Sequence, residues 1–212
     1  MSVKKLSVLL LSAFLVFICV TGAMAVSMEL KWDLSKEQRQ DEDKTEKWRV
    51  STTPEGWEIE VRNNNFIAHQ GFKLPSKSRY LFYYETEAEL LSLEGRSKVG
   101  ISMGIEGIQL MFQITDSETQ LRVAKDGSVW YVTKGKLPKK LNPPLKIKMT
   151  YNVESGEVEG FVDGQLAING NCNKLPNLPN ITSINRVAVI VGTMYDSNFA
   201  RGVYKTVEVK GH

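Results

Sequence analysis

The sequence predicts an all-β protein, an antiparallel two-sheet sandwich of the jelly-roll type. Apolar and polar residues alternate with period two along many short segments, as they do in strands with one buried and one solvated face. Residues that favour turns separate these segments at intervals of about ten residues, and no segment has the apolar spacing of a convincing helix. Together these observations predict about a dozen strands packed as two sheets.

The first 25 residues have the three parts of a secretory signal peptide. Lys4 and Lys5 precede an apolar run from Leu6 to Val20, and Ala23-Met24-Ala25 supplies the small residues that a signal peptidase needs. We therefore expect cleavage after Ala25, a secreted or periplasmic location, and no membrane span afterwards. A retained membrane helix is the alternative, but the apolar run is short for a span.

Cleavage would leave 187 residues (212 − 25), enough for one domain with a full core. It would leave 25 basic (27 − 2) and 24 acidic side chains, and this near-neutrality gives no reason to expect a nucleic-acid partner. Cys172 would be the only cysteine, so no intrachain disulfide is possible. We expect a buried, unreactive thiol there; a reactive thiol or an intermolecular disulfide is the alternative.

The rest of the chain divides into an N-terminal segment, residues 26–47, and the sandwich, residues 48–212. Residues 26–34 alternate well enough to form a short strand. Residues 35–47 contain no apolar side chain, so they are interpreted as a solvated linker. A strand on such a tether suits a sandwich whose first and last strands pair.

The stretch from Tyr80 to Ile114 is predicted to form three consecutive strands of one meander. In the third strand, alternation places Phe112 in the core and both Gln109 and Gln113 on the solvated face. The first strand has an apolar face and an acidic face. Its apolar face contains Phe82, Tyr84, Ala88 and Leu90, and its opposite face contains Tyr83, Glu85, Glu87 and Glu89.

Later strands are predicted at residues 120–124, 128–133, 145–151, 157–162, 165–168, 184–192 and 202–209, after short strands within residues 48–69. Asp126-Gly127 and Asp163-Gly164 are predicted to be two-residue hairpin turns, because both residue types tolerate the backbone conformation that such turns require.

The order of these elements resembles that of concanavalin A-like lectin/glucanase domains, including laminin G-like ones. The resemblance rests on Lys-Ile-Lys-Met-Thr-Tyr-Asn-Val-Glu-Ser-Gly-Glu-Val-Glu-Gly-Phe-Val-Asp-Gly-Gln at residues 146–165, which is similar to their strand, turn, strand and Val-Asp-Gly turn. Residues 83–114 resemble the preceding meander, and the final strands are similar as well. The resemblance covers about residues 48–210 and implies two curved sheets, with sugars bound across the concave face or at its rim.

We place the polar faces of the strands on that concave surface. Amides and carboxylates suit carbohydrate, because sugar hydroxyls both donate and accept hydrogen bonds. The predicted carbohydrate-binding residues are Glu85, Glu87, Gln109, Gln113, Arg122 and Trp130, with Lys146 and Lys148 beside them. An exposed Trp130 would stack on a sugar ring. The alternative is an ordinary solvated sheet face, with Trp130 in the core.

The resemblance also raises glycoside hydrolysis, which needs two carboxylates flanking one glycosidic bond. The β-glucanases of the superfamily carry acids at alternate positions of one strand, and Glu85, Glu87 and Glu89 imitate that spacing. The strand that should carry catalysis, however, resembles Ile108–Ile114, which has no acid. Hydrolysis is therefore disfavoured, and no catalytic residue is assigned.

Metal and histidine chemistry have little support in the sequence. His69 is interpreted as a structural side chain, and no cluster has metal-ligand spacing. No cofactor is predicted. Calcium is the one ion with a candidate pair of ligands, at Asp196 and Asn198, whereas Asp126 and Asp163 are explained as turn formers.

Six lysines within residues 134–148 suggest a second hypothesis, attraction of an anionic glycan. Basic loops are usually only solvated. The leading hypothesis is thus a secreted, non-catalytic carbohydrate-binding module with a polysaccharide or glycan as its partner. The rivals are a secreted glycan-active hydrolase or lyase on the same fold, and a structural or adhesive protein that binds another protein.

Overall fold

The structure, a computed structural model, describes residues 26–37, 46–105, 107–137, 140–175 and 181–212. These residues form two antiparallel β-sheets packed face to face, which confirms the predicted fold class. The predicted signal peptide and most of the predicted linker lie outside the described residues. In the parts of the chain that the structure describes, no helix has the length and apolar character needed to cross a membrane.

The described residues contain fourteen strands. They are β1 (Met28–Asp33), β2 (Trp48–Thr53), β3 (Gly56–Val61), β4 (Ile67–Lys73), β5 (Tyr83–Glu94), β6 (Ser97–Ile105), β7 (Ile108–Ile114), β8 (Glu118–Lys125), β9 (Ser128–Lys136), β10 (Leu145–Asn152), β11 (Glu157–Val162), β12 (Gln165–Asn171), β13 (Arg186–Thr193) and β14 (Ala200–Gly211). Two short 3-10 helices lie at Ser76–Tyr80 and Cys172–Lys174.

Sheet A has the strand order β12-β11-β10-β5-β14-β3-β2, and β1 also pairs with β14. Sheet B has the order β4-β13-β6-β7-β8-β9. The core between them is filled by alternate residues of each strand, such as Tyr84 and Leu90 of β5 and Phe112 of β7, all fully buried. Phe82, predicted to share this buried face, is instead 60% exposed, because β5 begins one residue after it.

The predicted meander from Tyr80 to Ile114 is wrong in one respect. Strand β5 belongs to sheet A, where it pairs with β10 and β14, whereas β6 and β7 belong to sheet B. Alternation shows which side chains share a face of one strand, but it carries no information about which strand lies beside it. A continuous meander does exist, but it runs from β6 to β9 within sheet B.

The first and last strands pair in antiparallel fashion, from Met28 opposite Gly211 to Asp33 opposite Thr206. Strand β1 also contacts the other sheet, because Trp32 stacks on Phe72 of β4 with ring centroids 4.2 Å apart. The chain termini of the sandwich are thus held together by both main-chain and side-chain contacts.

A buried tyrosine links the two sheets at their centre. Tyr204 of β14 accepts a hydrogen bond from the Gly100 amide at 3.1 Å, and its hydroxyl lies 2.9 Å from the Ile190 carbonyl oxygen, to which it donates. Both partners belong to sheet B. Because burial raises the pKa of Tyr204, the hydroxyl keeps its proton for this contact.

Candidate functional site

The outer face of sheet A is a solvated surface on which charges are paired across strands. Glu87 lies 2.9 Å from Lys146, and Glu85 lies 3.5 Å from Lys148. Lys31 and Glu208 form a further contact on the same sheet. Exposed pairs of this kind contribute little to stability and leave little net charge. This face has the properties of an ordinary wet sheet surface.

The outer face of sheet B has a different character, which the strand pairings define. Register places one set of polar side chains in rows across its six strands. These residues are His69, Lys73, Lys98, Ser102, Gln109, Gln113, Glu118, Gln120, Arg122, Tyr131, Lys134, Lys136 and Arg186, interspersed with glycine and small apolar residues. We call this surface the B face.

The middle of the B face is shielded from solvent, whereas its two ends are open. Gln113 points away from the core as predicted, but the prediction that it is solvated is wrong, because it is fully buried, as is Ile190, and Ser102 is 3% exposed. We call these outward-facing but buried residues the floor of the B face. Lys73 and Tyr131, on the two edge strands, are exposed.

Arg122, on β8 beside the edge strand β9, is the charged group that contacts the buried middle of the B face. It donates a hydrogen bond to the side-chain oxygen of Gln113 at 2.7 Å, and its guanidinium carbon lies 5.0 Å from the ring of Tyr131. Its Nε is buried and has no hydrogen-bond partner. Tyr131 also contacts Lys134, whose Nζ lies 3.9 Å from the ring centroid. Gln113 therefore orients Arg122, and the arginine retains donor capacity.

The positive charge of the B face affects neighbouring titratable groups. Burial, followed by repulsion from Arg186 and Arg122, lowers the pKa of His69 to about 4. Burial and the charge of Arg122 also lower the pKa of Lys98. His69 is therefore neutral at pH 7, and its Nδ1 lies 3.4 Å from the Ser102 hydroxyl. This placement agrees with the interpretation of His69 as a structural side chain rather than a base.

A cavity of about 470 Å³ opens at one end of the B face, where β4, β13, β6 and β7 meet the 3-10 helix Ser76–Tyr80. Its polar lining includes Lys73, Arg79 and Arg186 together with Gln109 and Asn185. The cavity thus continues the B face and adds cations to it.

The structure divides the six predicted carbohydrate-binding residues among three surroundings. Glu85 and Glu87 lie on the outer face of sheet A, on the other side of the molecule from the B face, so the prediction of one shared surface is wrong. Gln109, Gln113 and Arg122 do lie together on the B face. The physical reason for the division is that β5 and β7, although close in sequence, belong to different sheets.

Trp130 lies on the inner side of sheet B, because it pairs with Val123, whose side chain is in the core. The two-residue Asp126-Gly127 turn sets the register of the β8–β9 hairpin, so Tyr131 rather than Trp130 lies opposite Arg122, and the pairing shifts only beyond that pair, between Arg122 and Leu121. Tyr131, 44% exposed, is therefore the aromatic residue of the B face that the sequence interpretation missed. The signal was present in the sequence, because a two-residue turn at Asp126-Gly127 by itself pairs Arg122 with Tyr131 and Val123 with Trp130.

The lysine-rich stretch of residues 134–148 is also divided. Lys134 and Lys136 lie on the B face, whereas Lys146 is paired with Glu87 on sheet A. The described lysines of this stretch therefore lie on two surfaces, and Lys134 and Lys136 join the cations described above, while the attraction of an anionic glycan stays a prediction.

The remaining candidate sites have simple structural explanations. Asp196 forms an ion pair with Arg96, which also contacts Asp116 at 3.1 Å, and no group of three metal-ligating side chains occurs among the described residues. Asp126 and Asp163 adopt positive φ angles of 50° and 49° in their Asp-Gly turns, as predicted for turn formers.

Cys172 is buried, as predicted. Its surroundings raise the pKa of the thiol to about 11, since burial disfavours the thiolate. An unreactive thiol is the result.

Comparison with known proteins shows the fold. No protein-family model matches the sequence, and no curated protein matches it significantly. Among solved structures, the Crh5 transglycosylase is similar over 86% of this chain and 83% of its own, with 12% identity and a TM-score of 0.58. A Bacillus subtilis protein of unknown function with a galectin-like fold is similar over 77% of this chain and 86% of its own, with 10% identity and a TM-score of 0.56.

SCLam, a non-specific endo-β-1,3(4)-glucanase of family GH16, is similar over 88% of this chain and 91% of its own, with 10% identity and a TM-score of 0.50. At such low identities the similarity is one of fold. It is consistent with a concanavalin A-like sandwich, and the finer laminin G-like resemblance stays a prediction.

Proposed function

We propose that this protein is a secreted, non-catalytic carbohydrate-binding module, and that it binds a glycan across the B face. The observation that carries the proposal is the combination on one surface of a shielded polar floor, the Arg122–Gln113 hydrogen bond and the exposed ring of Tyr131. Sugar hydroxyls need both donors and acceptors, and a sugar ring has an apolar face that an aromatic side chain covers.

The structural neighbours support a glycan as the ligand class. The Crh5 transglycosylase is also known in complex with NAG, and SCLam is an endo-β-1,3(4)-glucanase. Sandwiches of this type therefore bind glycans or act on them in other proteins. Fold alone does not fix function, so the argument for this chain rests on the B face.

The carboxylates argue for binding rather than hydrolysis. Glycoside hydrolysis requires two carboxylates on either side of one bond, about 5 to 10 Å apart. Among the described residues of the B face, Glu118 is the single carboxylate, and it accepts a hydrogen bond from Gln120. Glu85 and Glu87 lie on the other sheet, where each has a lysine partner.

A glycan array tests the proposal directly. The purified protein should bind at least one class of glycan, and Tyr131→Ala should weaken that binding. Phe161→Ala is the matched control, because Phe161 is an aromatic residue on the outer face of sheet A, beside Lys148. Absence of binding to any glycan, or equal losses in the two variants, would contradict the proposal.

The alternative hypothesis is a glycan-active enzyme, and it predicts a different result in an assay with polysaccharides. Incubation with polysaccharides would then release shorter products, and Glu87→Gln would abolish their release. The binding proposal expects no products from either protein. Secretion is part of the proposal as well, and N-terminal sequencing of the exported protein should begin at Val26.

A further inference from the structure

We propose that the ligand of the B face is an acidic glycan, whose carboxylate or sulfate groups are bound by Arg122 near the β9 edge and by Lys73, Arg79 and Arg186 at the cavity. This inference rests on the proposed function, because it names the class of glycan that the same site takes.

The two outer faces differ in their balance of charge. On sheet A, lysines and glutamates pair across strands, as described above for Lys146 and Glu87. On the B face, the described residues include six cations and one carboxylate, Glu118. The cations are Lys73, Lys98, Arg122, Lys134, Lys136 and Arg186. Since the whole chain carries a formal charge of only +3, this excess is a property of one surface rather than of the composition.

The positive charge of Arg122 is partly removed from water, and no carboxylate of the described residues is paired with it. A half-buried guanidinium is normally paired with a carboxylate, because removal of a charge from water is unfavourable without compensation. Here its partners are a neutral amide and an aromatic ring, and its buried Nε has none. An anion bound at the accessible part of this guanidinium would supply the missing countercharge through charge-assisted hydrogen bonds.

The cavity end of the B face has a second such arrangement. Lys73 of β4 lies directly opposite Arg186 of β13 in the register of sheet B, and like charges in that position destabilise a sheet. Arg79 lines the same cavity. No ion pair joins these three side chains to a carboxylate of the described residues. One anionic group between them would relieve the repulsion.

The two cationic positions lie on one path across the strands. From β4 to β9 the path crosses five interstrand spacings, or about 24 Å at ~4.8 Å each. A chain of several sugars that bears acidic groups along its length spans such a distance, whereas one isolated anion does not. Gln109 and Tyr131 lie on this path and offer an amide and an aromatic ring, which suit the sugar rather than its charge.

Matched pairs of polymers test the class of ligand. Dextran and dextran sulfate differ only in sulfate, and methyl-esterified pectin and pectate differ only in free carboxylates. Isothermal titration calorimetry of the purified protein should show binding to one acidic member of these pairs, at least about tenfold tighter than to its neutral counterpart. Binding should weaken as salt is raised from 50 to 500 mM. The two pairs also distinguish sulfate from carboxylate.

Variants locate the binding. Arg122→Gln and Lys73→Gln/Arg186→Gln should each weaken binding by about tenfold or more. Lys146→Gln is the matched control for Arg122→Gln and Lys146→Gln/Lys148→Gln for the double variant: each makes the same change of charge on sheet A and should leave binding unchanged. Lys73 and Arg186 are exposed, and the double variant removes the repulsion between them, so its unfolding temperature should equal or exceed that of the wild type and it still tests the inference even where Arg122→Gln fails to fold.

The outcomes separate the two proposals. Equal binding of the neutral and acidic polymers, or equal effects of the sheet A and B-face variants, would overturn the acidic ligand and leave a glycan-binding protein. Binding of polyglutamate as tight as that of the acidic glycan would also overturn it, because charge alone would then suffice. Failure of every carbohydrate, here and on the glycan array, would overturn the proposed function itself.

Discussion

His69 faces two arginines from a half-buried position, so the native protein resists its protonation. Its pKa is lowered to about 4, first by burial and then by Arg186 and Arg122. In the unfolded chain an ordinary histidine titrates near 6.5, so between pH 6.5 and 4 the unfolded state binds a proton that the native state does not. The free energy of unfolding should therefore fall as the pH falls through this window.

The variant His69→Gln tests this linkage. Relative to the variant, the wild-type protein should lose on the order of 2 kcal/mol of stability between pH 6.5 and 4, at about 1.4 kcal/mol per unit of pKa difference. Urea unfolding at several pH values measures the difference. Because both proteins contain the same carboxylates, their titration contributes equally to both curves. Parallel curves would show that His69 is protonated as easily in the native state as in the unfolded one.

At the scale of single elements, β1 is an integral strand of sheet A rather than an appendage. The turn that follows it buries Leu34 completely, and the Leu34 amide donates to the Lys205 carbonyl oxygen at 2.8 Å. Leu34→Ala should therefore destabilise the protein by about 3 kcal/mol, through lost transfer energy and the cavity left behind. Thermal and urea unfolding measure the loss.

Leu166 provides the matched control for this substitution. It lies in the edge strand β12 and is 51% exposed, so Leu166→Ala should change stability by no more than about 0.5 kcal/mol. Equal effects of the two substitutions would mean that β1 does not dock as the structure shows.

The elements also show what the sequence does and does not determine. Alternation identified the buried rows of β7, and the Asp-Gly pairs identified two turns, because both signals are local. The partner strands of β5 depend on contacts distant in sequence, whereas the pairing of Arg122 with Tyr131 is fixed locally by the Asp126-Gly127 turn. Alternation alone therefore could not separate Glu85 from the surface of Arg122, whereas the predicted turn was sufficient to place Tyr131, rather than Trp130, beside Arg122.

For the molecule as a whole, the two outer faces have separate roles in the proposed function. Sheet A keeps its charges paired and, through β14, holds the ends of the sandwich together. Sheet B carries, on its outer face, cations that form no ion pair with a carboxylate of the described residues. Tyr204 connects them, since it belongs to β14 and bonds to the main chain of β6 and β13 beneath the B face. The geometry of the binding surface thus depends on a strand of the opposite sheet.

This dependence predicts the effect of removing the last strand. Strand β14 pairs with β1, β3 and β5, so a chain that ends at Thr193 loses a central strand of sheet A and leaves three strands with unpaired edges. Such a chain should show no cooperative thermal unfolding by circular dichroism, should bind a dye for exposed apolar surface, and should bind no glycan. A cooperative transition near the wild-type midpoint would mean that sheet B and its binding surface fold without β14, contrary to the role assigned to Tyr204.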